Sequence, residues 1–393
     1  MSFAVIYSLI WALCLSLFFA DVSLPGTARD VIDAIPKPTV SSFSAICSFV
    51  LLTAFLSEIL PGKKVQGTKL EDGTSLIYKP NGLLVSGVTV LGLSLASYSG
   101  AIDGSYIADH VVDLWASGSL FAIVLSLYLF ISAGYLGEQQ PVHTIRSLIR
   151  DFVLGSELNP HLLGVNLKFF SYRPAMCGWL LVNLSFLFKQ FQTLSLFTNR
   201  MIAYQLVANF YIVDYFVYED RMITTWDIIA ENFGFMLVWA DYCFIPLAFS
   251  VQNVFLYNNA EDISIAAAIS IVFLFLVGYT IFRGTNSQKH QFKLDASKPI
   301  WGKPPITVAG RLLASGYWGQ ARHINYLGDL VVALSLCLPC GLISGRAYFY
   351  FLYLLLLLLH RERRDEHRCD EKYGLMWKEY CKLVPYRILP FVY

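Results

Sequence analysis

Long apolar runs alternate with short polar stretches along almost the whole chain. About 20 mostly apolar residues cross the hydrocarbon core of a bilayer as a helix. Runs of that kind lie near 3–22, 42–60, 83–101, 112–136, 176–190, 199–218, 233–254, 263–283, 327–345 and 346–360. The third run is short and the fifth marginal. The last two are parted only by Gly345 and Arg346, so a tight re-entrant pair is the alternative there. The pattern predicts an all-α polytopic membrane protein with about ten transmembrane helices. The first run lacks a basic leader and an obvious small-residue cleavage site, and reads as a retained helix rather than a signal peptide.

Composition agrees with that class. Of 393 residues, 56% are hydrophobic and 15% charged, against roughly 25% charged in soluble domains. A net charge of +1 says little about partners, and no basic stripe outside the loops and tail points to nucleic acid. The cations do set an orientation. Lys63 and Lys64 follow the second run, Arg146, Arg150, Lys168 and Arg173 the fourth, Arg283 to Arg311 the eighth, and the tail follows the tenth. All follow even-numbered runs, so they share one face, expected to be cytosolic along with both termini. Cys337 and Cys340 form CLPC. A redox pair is one reading, but no thioredoxin-like pattern surrounds them, and two small residues beside a proline in a membrane helix is the preferred one.

Three loops carry more than connection. Residues 60–84 alternate in polarity around Asp72-Gly73, which predicts a two-stranded hairpin. GSELNP (155–160) puts Glu157 and Asn159 before Pro160, where they either line a site or, as we favour, cap and break a helix. Residues 209–242 place Asp214, Glu219, Asp227, Glu231 and Asp241 in or beside apolar helices. An intramembrane carboxylate costs about 2.5–3.5 kcal/mol on insertion scales and usually faces a cavity or pathway. The plainer reading makes 219–231 a polar loop and leaves only Asp214 and Asp241 at depth. With Tyr211, Tyr215 and Tyr242 nearby, a functional cavity is still expected.

Polar chemistry is densest from Gly316 to the end. If the tenth helix runs on past His360, Asp365, Cys369, Lys372, Tyr373, Met376 and Tyr380 fall on one face, unless Gly374 breaks it. Upstream, Trp318, Arg322, His323, Asn325, Tyr326 and Asp329 form a second set. Cations for phosphates, a carboxylate for ribose hydroxyls and aromatic rings for a base suit a polyanionic, partly aromatic ligand. A basic patch meeting anionic lipid would explain the arginines but not Asp365 or Asn325. There is no GxGxxG or GxxxxGK[ST], so a nucleotide here would bind without a Rossmann or P-loop site.

SGYWGQARHINYLGDL (315–330), LLHRERRDEHRCDEKYG (358–374) and VPYRILP (384–390) resemble signatures of the membrane sterol reductases. That family includes Δ14-, Δ7- and Δ24(28)-sterol reductases and the membrane domain of lamin B receptor. The resemblance extends through FRGTNSQKHQFK, YIVDYFVYEDRMITTWDI, GFML and GSELNP, nearly the whole chain. It implies one reductase domain over 1–393, with N-terminal helices and hairpin to 175 and catalytic and cofactor-binding helices from 176. It implies an endoplasmic-reticulum or nuclear-envelope enzyme, a sterol substrate, other sterol-pathway enzymes as candidate partners, no metal, and an NADPH pocket open to the cytosol. Carried over position by position, the cofactor set is Lys289, Lys293 (usually Arg in the family), Leu313, Trp318, Asn325, Tyr326, Asp365, Cys369 to Tyr373 with Lys372 among them, and Tyr380. LPGKKVQG, DGTSLIYKPNGL and the ending VPYRILPFVY look most like the Δ14 branch. With no chromatin-binding domain before the first run, a lamin B receptor role is not expected. Two departures lie near the expected sterol cavity. Ser171 stands where the family has an acid, with Ala175 in place of a glycine, and DIIAE (227–231) lacks the histidine of DITHD.

Reduction of an unactivated alkene by NADPH needs an acid before a hydride. A proton at C15 leaves a tertiary cation at C14, which takes the hydride. Tyr211, in YIVD, is the expected donor, with plain packing as its other reading. Asp214 and Glu219 are expected to orient it, feed it protons or stabilise the cation. Three readings compete. One is the same fold acting on a Δ7 or Δ24(28) bond. Another is a sterol-binding scaffold that has lost activity, which the intact cofactor set opposes. The third is a transporter, for which no inverted repeat appears.

Overall fold

A computed structural model describes residues 36–69, 73–136 and 145–393. The first expected span and the tip of the hairpin lie outside the described residues. Among the described residues the architecture is mostly helical, with three two-stranded hairpins. One compact unit takes in the described residues up to Ser195 together with Asn209–Tyr257; the other comprises Leu196–Ala208 and Asn258–Tyr393.

In the first unit, helix α1 (Val40–Ile59) begins where the Thr39 hydroxyl accepts a hydrogen bond from the Ser42 amide at 3.2 Å. Two of its hydroxyls are spent within the helix: Thr53 donates to the Phe49 and Val50 carbonyls, and Ser57 to the Thr53 carbonyl. That is how polar groups persist in an apolar helix without water. Strands β1 (Val65–Lys69) and β2 (Ser75–Tyr78) pair antiparallel, Val65 opposite Tyr78, as the alternation predicts. Helices α2 (Gly82–Tyr98), α3 (Val111–Leu136) and α4 (Ile145–Leu154) follow. Gly155 ends α4, its amide donating to the Asp151 carbonyl at 2.9 Å. A short hairpin of β3 (His161–Leu162) and β4 (Val165–Asn166) leads into α5 (Leu167–Leu194).

Every residue of α5 from Leu167 to Cys177 is buried. A helix buried on all sides is the centre of its unit. It packs along α7 (Phe235–Leu256), whose middle stretch, Ala240–Ala248, opens into a π-helix around Pro246. Proline removes an i→i−4 bond and crowds the preceding turn, and the wider π turn absorbs both. The entry to α7 is pinned by glycine. A Cβ on Gly155, whose φ is +93°, would meet the Gly234 nitrogen at 2.6 Å.

Helix α6 (Asn199–Val217) begins in the second unit and ends in the first. The second unit is built on α8 (Ile265–Leu294) and α9 (Ile324–Cys337). Their backbones nearly touch: a Cβ on Gly328 would lie 2.5 Å from the Phe282 nitrogen. Between them run β5 (Thr307–Val308) and β6 (Leu312–Leu313). Helix α10 (Phe349–Tyr373) does continue past His360, and Gly374 at φ +53° breaks it before α11 (Leu375–Leu383).

Among the described residues, four helices are long and apolar enough to cross a membrane: Val40–Ile59, Val111–Gly134, Phe235–Leu256 and Ile265–Leu294. Gly82–Tyr98 and Ile324–Cys340 are apolar but shorter. The chain is therefore a multi-pass membrane protein. On α8, Ile265, Ile269, Phe273 and Leu276 are all exposed, a stripe at helical spacing suited to lipid.

Candidate active site

The first unit holds a buried polar cluster. Tyr211, Asp214 and Tyr215 sit three and four residues apart on α6, so they share a face. The Tyr211 ring is tilted against Trp179 of α5, centroids 6.0 Å apart, and Asp214 is buried. Glu219 follows in a one-turn helix, Glu219–Met222. Its carboxylate accepts from Arg173 Nε at 2.9 Å and from the Gly82 amide at 2.7 Å. A guanidinium nitrogen of Arg173 also donates to the Lys79 carbonyl. Both side chains of this ion pair are almost fully buried, 6% and 3% exposed, so each charge depends on the other.

The neighbouring acid is placed differently. Asp241 is 1% exposed, on the π-helical turn of α7. Its Oδ2 and the hydroxyl of Tyr215 are buried with no hydrogen-bond partner among the described residues. Buried polar atoms left unpaired are costly and uncommon. The departures from the family pattern lie here too. Ser171 donates to the Leu167 carbonyl and is 2.8 Å from the Tyr242 hydroxyl. Glu231 accepts from Trp226 Nε1 at 2.7 Å. Lys168, wholly buried, donates to the carbonyls of Ile228 and Glu231, both at 2.8 Å. Burial holds its ammonium down at about 8, against the pull of Asp227 and Glu231. Tyr172 was missed by the sequence reading. It is buried beside Asp227, but alone it is one more aromatic in an apolar helix.

Glu157 is used through its main chain. The Glu157 carbonyl accepts from the Phe233 amide at 2.9 Å, bracing the entry to α7. Asn159 Oδ1 is buried without a partner among the described residues. Both cysteines of CLPC are buried thiols.

The second unit gathers most of the expected cofactor set. Lys289 lies over the Trp318 ring, 4.4 Å from its centre, and Trp318 Nε1 donates to the Thr285 carbonyl at 2.9 Å. The Tyr380 hydroxyl donates to the Trp318 carbonyl at 3.2 Å. Tyr326 donates to Asp365 Oδ2 at 2.9 Å, joining α9 to α10. Asp365 and Cys369 lie within electrostatic reach of Lys289, as does Lys293 one turn along α8. Cys369 and Tyr373 pack on Trp377, Tyr380, Val384, Val308 and Ala314. Lys372 reaches over Tyr373 at 5.1 Å and is exposed, and Leu313 is buried in β6.

His323 Nε2, Asn325 Oδ1 and Asp329 Oδ1 are among the polar atoms of this region buried without partners among the described residues. His323 stacks on Tyr326, centroids 4.8 Å apart. Burial holds its imidazole down at about 4, opposed by Asp365 and reinforced by Lys289. A second stripe of α10 escaped the sequence reading. Glu362, fully buried, accepts from Arg387 and from the Tyr393 hydroxyl, each at 3.3 Å, and Glu366 pairs with Arg322 at 3.4 Å. Its signal was the i, i+4 spacing of two glutamates, whose partners Arg322 and Arg387 lie far off in sequence and meet them only in the folded chain.

Residues 25–393 match the family model described as "Ergosterol biosynthesis ERG4/ERG24 family". A Delta(14)-sterol reductase of Arabidopsis thaliana is 46% identical over 359 residues, covering 91% of this chain and 97% of the relative. One of Methylotuvimicrobium alcaliphilum is 39% identical, covering 91% and 85%. The mouse Delta(14)-sterol reductase TM7SF2 is 40% identical, covering 85% and 82%.

Proposed function

Since the chain belongs to the ERG4/ERG24 family, we propose that it reduces the C14–C15 double bond of a sterol intermediate with NADPH, in the endoplasmic-reticulum membrane or nuclear envelope. The observation that carries this is identity of 46% along 97% of a relative named Delta(14)-sterol reductase.

The second unit suits a dinucleotide. Lys289 and Lys293 supply cations for phosphates, and Asp365, already holding Tyr326, has acceptor capacity for a sugar hydroxyl. Asn325 Oδ1 and His323 Nε2 are unmet hydrogen-bonding groups beside them, which a polar ligand would satisfy. Trp318, Leu313, Cys369, Lys372, Tyr373 and Tyr380 complete the set. Bound NADPH supplies the hydride that ends on C14.

The first unit suits the acid. Tyr211 gives its phenolic proton to C15, and the tertiary cation forms at C14. Asp214, one turn along the same face, restores the proton to the phenolate oxygen. Glu219 is held by Arg173 and the Gly82 amide, and acts by fixing the end of α6 and adding negative potential near the cation. A dry setting strengthens each of these effects.

Product analysis tests the reading. The detergent-purified protein with NADPH is offered sterols unsaturated at Δ14, Δ7 or Δ24(28), and the products are identified by gas chromatography–mass spectrometry. Loss of the Δ14 bond alone is expected. Reduction of a different bond overturns the branch assignment, and no reduction with NADPH still bound overturns the activity.

A further inference from the structure

The second unit has a cavity of about 140 Å³ between the polar end of α8 and the loop that follows it. Gln288, Gln291 and Phe292 line it from the helix, and Lys298, Pro299, Ile300 and Trp301 from the loop. It is smaller than the roughly 300–1,000 Å³ that encloses a whole drug-sized ligand. A space of this size takes one end of a ligand.

Its position is informative. Residues 288, 291 and 292 form one stripe of α8, and Lys289 and Lys293 the adjoining one, about 100° round the helix. The cavity therefore borders the cations assigned to the cofactor phosphates. Gly316 makes the junction possible. It sits at φ +65°, and a Cβ there would lie 2.5 Å from Gln288 Oε1, which instead accepts from the Tyr317 amide at 3.0 Å.

The loop presents its indole at a cost. Ile300 and Lys303 exchange backbone hydrogen bonds of 2.8 and 3.1 Å across Trp301-Gly302. Both central residues have positive φ, +51° and +77°. Such turns favour Asn or Gly at the first place, and a bulky residue there stores strain of a kind that gathers at functional sites. Trp301 meets Tyr317 at 5.0 Å, ring planes 75° apart, yet remains 61% exposed. Lys298 brings a cation, while the nearby Asp295 carboxylate is taken up by the Ser297 amide and hydroxyl. An exposed indole, two side-chain amides and a cation are what a purine nucleoside phosphate needs. A membrane-interface anchor would use the tryptophan and lysine but has no use for an amide-lined cavity behind them.

We propose that this cavity receives the adenosine 2′-phosphate end of the dinucleotide, with Trp301 stacked on the purine and Lys298 facing the 2′-phosphate. The proposal rests on the NADPH reading above.

Isothermal titration calorimetry on the full chain in detergent tests it with NADPH, NADH, adenosine 2′,5′-bisphosphate and reduced nicotinamide mononucleotide. Trp301→Ala should weaken NADPH and the bisphosphate about tenfold and leave the mononucleotide unchanged, while Trp301→Phe recovers most of the loss. Lys298→Gln should weaken NADPH but not NADH. Unchanged affinity of Trp301→Ala for the bisphosphate overturns the subsite and leaves the cofactor reading intact. An equal loss for the mononucleotide also overturns it. Wild-type protein that binds no NADPH sinks both. Loss of binding to anionic vesicles by Trp301→Ala, with nucleotide affinities unchanged, makes the indole a membrane anchor and overturns the proposal.

Discussion

A single oxygen separates the two roles open to Tyr211. If its hydroxyl donates the proton, Tyr211→Phe removes the acid and keeps the ring against Trp179. Turnover should then fall at least a hundredfold, as loss of general acid catalysis does, with NADPH affinity measured by calorimetry unchanged. Full activity would leave Tyr211 as packing. His323 offers a pH test. Its folded pKa is about 4, pressed below the usual 6.5 by burial. Between those values the unfolded chain binds more protons than the folded one, so stability rises with pH there. The contribution is complete above about 6.5 and is lost as pH falls toward 4. Lys289, Arg322, Asp365 and Glu366 face the ring. The comparison is therefore with His323→Asn, whose melting temperature should fall less between pH 7 and pH 5.

Elements carry the next set of constraints. The Arg173–Glu219 pair spans 46 positions and ties α5 to the end of α6. Breaking one partner of a buried pair costs about 3–5 kcal/mol. Arg173→Met should lose that much in thermal unfolding, and Arg173→Met with Glu219→Gln should recover part of it. On α9, Gly328→Val puts side-chain atoms into the α8 backbone at Phe282. Overpacking costs about 1–3 kcal/mol or more, which should appear as a lowered melting temperature and, on the proposed reading, weakened NADPH binding, because both helices carry positions assigned to the cofactor in that proposal. The elements were legible in the sequence wherever periodicity rules. The helix past His360, its break at Gly374 and the β1–β2 hairpin all follow from local pattern. The π-helical stretch of α7 does not, since Pro246 alone predicts a kink and not a widened turn. Nor does the Arg173–Glu219 pair, a tertiary contact with no local signature.

Taken whole, the chain is a multi-pass membrane protein; among the described residues four helices are long enough to span by length and composition, where the hydropathy pattern counts about ten runs, the first of them outside those residues. The difference has a physical cause. Asn199–Val217 and Leu167–Leu194 spend positions on buried polar groups, and Ile324–Cys337 is short, so each is less apolar or shorter than a lipid-facing helix. The polar face of α10 was the most legible cluster, since Asp365, Cys369 and Tyr373 share a face in sequence and stay together in space. The buried acid cluster was half legible. Asp241 and Tyr215 stand out as polar residues in apolar runs, but their lack of partners is a property of the folded chain. For the molecule as a whole, NADPH at a hundred times its dissociation constant should add about 2.7 kcal/mol to stability. A thermal shift with NADPH clearly exceeding that with NADH is the expected reading.

The widened turns of α7 also restrict how this chain can change in length. Residues 240–248 take more than 3.6 positions per turn, so the stretch is out of phase with the helix on either side. Losing one residue would relieve that mismatch and let an ordinary helix form. It would also turn and shift everything downstream, pulling Asn253 from its 2.8 Å bond to Asn183 and Gln252 from its buried place. Substitutions can drift in this segment, but single-residue insertions and deletions should be absent from functional relatives.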